Sequence, residues 1–115
     1  MKKKLMILLI ATLFITMMFS TGCKKKFDIT GTWTINFTWA SGLSGTGTMT
    51  FTGDKTSGTF TNNYGGKGTY TVDGNNAKWV YTSGTTYTGT SSDDDHMSGT
   101  MVSYLGSNGT WTCTR

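Results

Sequence analysis

The chain has 115 residues, the length of one small domain, with 16 glycines and no proline. Its formal net charge of +4 comes from the N-terminal part, because six of the ten basic residues lie within residues 2–26. The rest of the chain is near neutral, which excludes the basic surface typical of a nucleic-acid-binding protein.

The N-terminal segment has the pattern of an export signal. Three lysines at 2–4 precede an apolar run over 5–19, and Ser-Thr-Gly-Cys at 20–23 forms a small-residue cleavage site. The segment resembles the signal of a bacterial lipoprotein, in which the cysteine after the cleavage site becomes the N-terminus and carries the lipid. The resemblance implies a signal peptide over 1–22, lipidation of Cys23, a basic tether over 23–28, and anchoring to the outer membrane or the outer face of the plasma membrane.

Two alternatives stay open for this segment. The apolar run could be an uncleaved signal anchor, although it is short for a span of the hydrocarbon core, which takes roughly 20 residues. The lysines at 24–26 either lie against anionic lipid headgroups or form a solvated spacer. If Cys23 carries a lipid, Cys113 has no disulfide partner, and we expect it to be a small core residue.

Eight alternating runs follow, which predict β-strands. In the first, Trp33, Ile35, Phe37 and Trp39 alternate with polar residues, mostly threonines. The predicted strands are 29–39, 45–52, 57–62, 68–72, 77–82, 86–91, 97–104 and 109–114. Asp-Gly and Gly-Gly in the breaks between them are typical of tight hairpins.

A tripeptide of glycine, threonine and a large residue recurs six times, beginning at 31, 47, 58, 68, 99 and 109. Each glycine shares a strand face with the large residue, so it leaves room for a neighbouring ring inside a tight barrel. The predicted interior residues are Trp33, Ile35, Phe37, Trp39, Met49, Phe51, Phe60, Tyr70, Val72, Trp79, Tyr81, Tyr87, Met101 and Trp111.

Together these patterns predict an all-β fold, an eight-stranded antiparallel up-and-down barrel over 29–115. The similar first and last strands favour closure by pairing with each other, which removes exposed strand edges. A two-sheet sandwich is the alternative, and a solenoid is less favoured because the glycine spacing is uneven.

The chain resembles the lipocalin-like, or calycin, barrels in Gly31-Thr-Trp33 on the first strand and in Arg115 beyond the last strand. The resemblance implies structural roles for Gly31, Trp33 and Arg115, with the basic residue packed over the tryptophan. Trp111 repeats the Gly-Thr-Trp pattern on the last strand, and we assign it a structural role too. Lipocalins carry a helix after the barrel, and we expect no such helix within residues 29–115.

In a meander, alternate connections share one end of the barrel. The first, third, fifth and seventh connections carry no charge apart from nearby Lys67, whereas every carboxylate falls at the tethered end. By analogy with the family, the uncharged end is the mouth, and a small hydrophobic or aromatic ligand would bind there. The candidate ligand-binding residues are Trp39, Tyr64, Tyr81, Tyr87 and Tyr104. The alternative is a filled barrel that acts through its surface as a protein-interaction or inhibitor module.

The acidic run at Asp93-Asp94-Asp95-His96 is either a calcium site or a solvated turn. It lacks the glycine and the later glutamate of an EF-hand loop, so we expect no metal there, and no cofactor motif occurs elsewhere. His96 is the only histidine and has no nucleophile at a recognisable spacing. We therefore expect no enzymatic activity. The sequence does not indicate an oligomeric state.

Overall fold

The computed structural model describes residues 27–115, so the expected signal peptide, Cys23 and most of the tether lie outside the described residues. Eight strands form a closed antiparallel barrel in which sequence neighbours pair and the last strand pairs with the first. They are β1 (Gly31–Trp39), β2 (Ser44–Gly53), β3 (Ser57–Asn62), β4 (Lys67–Asp73), β5 (Asn76–Tyr81), β6 (Thr86–Asp93), β7 (His96–Val102) and β8 (Asn108–Thr114). The predicted barrel is confirmed, with each strand end within two residues of its expected position.

Residues 27–115 contain no helix, and accordingly no helical segment in this part of the chain is long and apolar enough to cross a membrane. The connections are short, and Gly42, Gly65, Gly84 and Gly106 take positive φ at four of the turns. At Gly84 the φ of 102° lies where residues with a side chain are strained, so the hairpin between β5 and β6 depends on glycine.

The interior holds the large residues of the alternating pattern. Trp33, Trp79 and Trp111 are each at most 2% exposed, and the threonines between the large residues face solvent. Most predicted interior residues are buried, whereas Phe37, Trp39 and Tyr81 are only partly buried. These three residues all lie near the end where β1 and β5 finish. Cys113 is fully buried, as expected.

Inward glycines make room for the rings. Gly89 on β6 lies opposite Gly99 on β7. A Cβ atom on Gly89 would come within 2.6 Å of Cζ2 of Trp111, and one on Gly99 would come within 1.9 Å of the carbonyl oxygen of Thr88. The expectation that the glycines of the repeated tripeptide admit a neighbouring ring is confirmed at Gly58 and Gly68, where a Cβ atom would come within 2.7 Å of the Tyr70 ring and 2.9 Å of the Phe60 ring.

One end of the barrel, here called the closed end, is covered by the segment that precedes β1. Phe27 and Ile29 are buried there, and the indole Nε1 of Trp33 donates a hydrogen bond to the carbonyl of Ile29 at 2.8 Å. Neither residue is among the predicted interior residues; Phe27 lies before the predicted first strand, and Ile29 is its first residue, although β1 begins only at Gly31. They bury the lower face of Trp33.

Arg115 joins three parts of the closed end. Its guanidinium lies 4.1 Å from the ring centroid of Trp33. Its Nη1 donates to the carbonyl of Thr30 at 2.9 Å, and its Nη2 donates to the carbonyls of Asp28 at 2.8 Å and Asp94 at 2.7 Å. The side chain thereby ties the entering segment and the β6–β7 turn to the end of β8. Gly31, with φ of 116°, lies beside this guanidinium.

Asp28, Asp54 and Asp93 at the closed end accept hydrogen bonds within their own turns, whereas Asp95 lies 3.4 Å from Nε of Arg115. Asp93 accepts hydrogen bonds from the backbone N–H of Asp95 at 2.8 Å and from Nδ1 of His96 at 2.8 Å, and these contacts lower the pKa of its carboxyl. The structure places no group of three or more acidic, histidine or cysteine side chains suited to a metal within residues 27–115.

Candidate ligand-binding cavity at the open end

A cavity of about 220 Å³ occupies the opposite end of the barrel, here called the open end. This is the end formed by the β1–β2, β3–β4, β5–β6 and β7–β8 connections. The cavity is lined by Ile35, Phe37, Trp39, Gly47, Asn62, Asn63, Tyr64, Tyr81, Ser83, Thr85 and Tyr87. None of these residues is acidic or basic, so the cavity wall carries no formal charge at neutral pH.

Glycines on β2 leave room for the rings of the cavity wall. Gly45 and Gly47 lie at inward positions in the upper half of β2, where a Cβ atom on Gly45 would come within 2.6 Å of the ring of Phe37. The pairing of β2 with β3 begins only at Met49, opposite Asn62. The upper part of β2 therefore has no neighbouring strand on that side.

The β3–β4 turn fastens this open part of the wall. Asn63 donates its backbone N–H to the carbonyl of Thr48 at 3.1 Å, and its Oδ1 accepts the N–H of Thr48 at 2.8 Å. The hydroxyl of Tyr64 donates to the carbonyl of Thr46. The side chains of Asn63 and Tyr64 thus supply hydrogen bonds to β2 that a neighbouring strand supplies elsewhere in the barrel. The ring of Tyr64 also forms one wall of the cavity.

Stacked rings form the opposite wall. Tyr87 stacks on Trp79 with 5.4 Å between ring centroids and 17° between planes. Tyr81 packs edge-on against Phe60 at 4.8 Å and lies 5.5 Å from Tyr87. Burial raises the pKa of both Tyr81 and Tyr87, so both hydroxyls are neutral at physiological pH. This wall is aromatic and carries hydroxyl groups at its upper edge.

Asn62 connects the turn to this wall. Its Oδ1 accepts the backbone N–H groups of Tyr64 at 3.0 Å and Gly66 at 2.7 Å, and its Nδ2 donates to the hydroxyl of Tyr81 at 3.1 Å. The sequence analysis missed Asn62, although one signal was present. Asn62 continues the inward-facing row of β3 two positions after Phe60, where a polar residue is unusual.

Four of the five candidate ligand-binding residues line the cavity, namely Trp39, Tyr64, Tyr81 and Tyr87. Tyr104 does not line it. The predicted strand 97–104 ends at Val102, so Tyr104 falls in the turn that follows, and it is 68% exposed. The residues that the sequence analysis did not assign to the site are Ile35, Phe37, Gly47, Asn62, Asn63, Ser83 and Thr85.

The open end also carries an exposed apolar rim. Leu43, Tyr64, Val102, Tyr104 and Leu105 are exposed, and all of them lie in its connections or at the strand end beside them. The fold and this cavity define a small closed β-barrel with an uncharged aromatic cavity at one end.

Solved structures of designed barrels share this fold. A redesigned beta barrel named b11L5F_LGL aligns with a TM-score of 0.62 at 21% identity, over 76% of this chain and 90% of that chain. A redesigned beta barrel, mFAP1, bound to DFHBI, aligns with a TM-score of 0.59 at 20% identity, over 76% of this chain and 94% of that one. A de novo designed fluorescence-activating beta barrel aligns with a TM-score of 0.55 at 19% identity, over 76% and 93% of the two chains.

At these identities the likeness establishes the fold alone. No protein-family model matches the sequence, and no curated protein matches it.

Proposed function

We propose that this protein is a lipocalin-like binding protein that takes a small, planar, hydrophobic or aromatic ligand in the cavity at the open end. The observation that carries the proposal is an uncharged cavity of about 220 Å³ between Trp39, Tyr64, Tyr81 and Tyr87. Clefts of this kind, with aromatic walls and a few polar groups, are typical of small-molecule sites.

The size of the cavity limits the ligand. An engineered cavity of about 150 Å³ in another protein binds benzene, and pockets for drug-sized ligands have about 300–1,000 Å³. A cavity of about 220 Å³ therefore suits a molecule of one or two rings. Such a ring would contact the faces of Trp39 and Tyr87 and replace water that those faces now contact.

The structural neighbours add weak support, because mFAP1 and mFAP0, which share this fold, were solved bound to DFHBI. DFHBI is therefore a suitable first probe for this chain.

The test is a calorimetric titration of the barrel with DFHBI, indole and naphthalene. We expect at least one of them to bind with one-to-one stoichiometry, and Trp39→Ala to weaken that binding about tenfold through loss of aromatic contact. Tyr104→Ala is the matched control, because Tyr104 is an exposed aromatic residue at the same end that does not line the cavity. Binding that is equally affected by both substitutions, or no binding to any probe, would refute the proposal.

We further propose that the barrel is exported and anchored in the bacterial cell envelope through lipidated Cys23. The support is the signal-like sequence of residues 1–23 and the position of Phe27 at the closed end, which directs the open end away from the tether. Labelling of cells with radioactive palmitate should mark the wild-type protein and not Cys23→Ser. Equal labelling of the two would exclude this anchor, and a membrane-bound protein without label would favour the signal anchor.

The exposed rim favours a second candidate, a surface that contacts another protein. Its five apolar side chains lie at the end remote from the tether. The double substitution Leu43→Ser and Leu105→Ser separates the two functions. Under the first proposal it leaves the affinity for the aromatic probes unchanged, because neither leucine lines the cavity.

A further inference from the structure

We propose that the cavity selects neutral aromatic ligands that carry a hydrogen-bond acceptor, and that the hydroxyl of Tyr81 donates to that acceptor. This inference rests on the proposed function and names the class of ligand for the same cavity. It depends on the direction of three hydrogen bonds around Asn62.

The orientation of the Asn62 amide is fixed by the backbone of the β3–β4 turn. Two backbone N–H groups, of Tyr64 and Gly66, point at one side of the amide, at 3.0 and 2.7 Å. Because an N–H group only donates, the amide atom between them has to be the oxygen. The amide nitrogen then faces the hydroxyl of Tyr81 at 3.1 Å, and it can only donate.

This orientation determines what Tyr81 does with its proton. A phenol hydroxyl has one proton to donate and lone pairs to accept with, and Asn62 uses a lone pair. Among residues 27–115 the Tyr81 hydroxyl makes no hydrogen bond other than the one that it accepts from Asn62. Its proton is therefore left for an acceptor in the cavity, which Tyr81 lines.

A second tyrosine hydroxyl at the mouth, that of Tyr64, already has an acceptor. Tyr64 donates its proton to the carbonyl of Thr46, so it is not available to a ligand while the β3–β4 turn stays fastened to β2. Tyr64 is therefore a matched control for Tyr81, because both tyrosines line the cavity.

The uncharged wall restricts the acceptor to a neutral group. A carboxylate or ammonium group that entered the cavity would lose its hydration without meeting an opposite charge, which is costly. The ligand therefore has to be uncharged and has to carry an acceptor for the Tyr81 hydroxyl. A planar molecule with a carbonyl oxygen or a ring nitrogen meets both conditions, since it accepts one hydrogen bond and leaves the rest of the ring apolar.

The experiment compares naphthalene with quinoline, which has the same two-ring frame and one ring nitrogen. Calorimetric titrations at neutral pH, where quinoline is uncharged, would measure both ligands on the wild type, Tyr81→Phe and Tyr64→Phe. We expect Tyr81→Phe to weaken quinoline binding about threefold to tenfold, the range for one hydrogen bond, and to change naphthalene binding less than about twofold. Tyr64→Phe should change the affinities for quinoline and naphthalene by the same factor.

Two failures are distinguishable. If both ligands bind but Tyr81→Phe affects them equally, or if Tyr64→Phe gives the selective loss instead, the inference about Tyr81 is wrong and the cavity remains a binding site. If neither naphthalene, quinoline nor any other aromatic probe binds the wild type, the proposed function itself is wrong. Circular dichroism and the urea midpoint of each variant establish that it is folded, since removal of one hydroxyl leaves the ring packing in place.

Discussion

The two ends of this barrel are made from the same strands and the same alternating pattern, yet they differ in how the inward positions are filled. At the closed end Trp33 is covered by Phe27 and Ile29 and held by Arg115. At the open end the inward positions of β2 are glycines, and Trp39 and Tyr81 are only partly buried. Under the proposed function, this difference separates stability from ligand access along the barrel axis, as expected when binding surfaces are drawn from the less stable part of a fold.

The largest expected effect comes from two tryptophans on the same strand. Trp33→Ala should lower the free energy of unfolding by about 3–5 kcal/mol, because it opens a cavity under a fully buried indole. Trp39→Ala should lower it by only about 1 kcal/mol, since that ring is already partly exposed. Urea unfolding followed by circular dichroism measures both.

If Trp33→Ala does not fold, Trp33→Phe and Trp39→Phe replace the two alanine variants. The loss in the free energy of unfolding should still be larger for Trp33→Phe. Equal losses at the two positions would contradict the division between a structural end and a binding end.

Inward glycines should show the next largest difference. Gly99→Ala should cost about 1–3 kcal/mol, because the new methyl group would meet the backbone carbonyl of Thr88, which has no room to move. Gly47→Ala should cost less than about 1 kcal/mol, because the methyl group meets side-chain atoms of Asn63 and Tyr64 and no backbone atom, and these side chains can move together with the β3–β4 turn. Thermal unfolding midpoints of the two variants give the ranking, and the reverse order would show that the turn at the open end is as rigid as the barrel centre.

Arg115→Lys tests the closed end with its charge conserved. A lysine keeps the positive charge but cannot bridge three backbone carbonyls, so we expect a loss of about 1 kcal/mol in the free energy of unfolding. The comparison is Lys67→Arg, at the open end, which should change stability by less than about 0.5 kcal/mol. Matched urea curves that coincide for wild type and Arg115→Lys would show that the guanidinium contacts do not stabilise the fold.

Ionisable groups at the two ends should lower the free energy of unfolding at opposite extremes of pH. Near neutral pH neither group should change it. Burial raises the pKa of Tyr87 at the open end, so its contribution is complete below about pH 10 and is lost as the pH rises further. Hydrogen bonds from Thr30 lower the pKa of Asp28 at the closed end, so that contribution is present above about pH 4 and is lost as the pH falls.

Unfolding midpoints from strongly acidic to strongly alkaline pH should therefore show that Tyr87→Phe reduces the alkaline loss and Asp28→Asn reduces the acid loss. If Tyr87→Phe changed the acid loss instead, or Asp28→Asn the alkaline loss, these two groups would not be the source of the pH dependence.

The sequence predicted the barrel well because alternation is a local signal. Each run of threonine and large residues defines a strand and its inner face, and the resulting register pairs Phe51 with Phe60 and Tyr70 with Trp79. What the sequence did not predict depends on contacts between distant segments. Asn62 acquires its role only when its amide meets both its own turn and Tyr81 on β5.

Tyr104 shows the other source of error. The predicted strand runs two residues past the end of β7 at Val102, and Tyr104 has the same outward-facing parity as exposed Val102. Strand parity and the end of β7 together place Tyr104 outside the cavity. Strand ends are decided by which backbone groups find partners, and the side-chain pattern carries little information about that.

Closure between β1 and β8 has a consequence for how the chain reaches its final state. While β8 is still on the ribosome or in a translocation channel, β1 is paired only with β2 and β7 only with β6, and two strand edges stay available to other chains. The pairing joins residues as far apart as Thr34 and Thr114, so the loop-closure entropy is large and this step should come late and limit the folding rate. A chain that completes its fold only with its last strand stays unfolded enough to pass through a translocation channel until then, which is compatible with the proposed export.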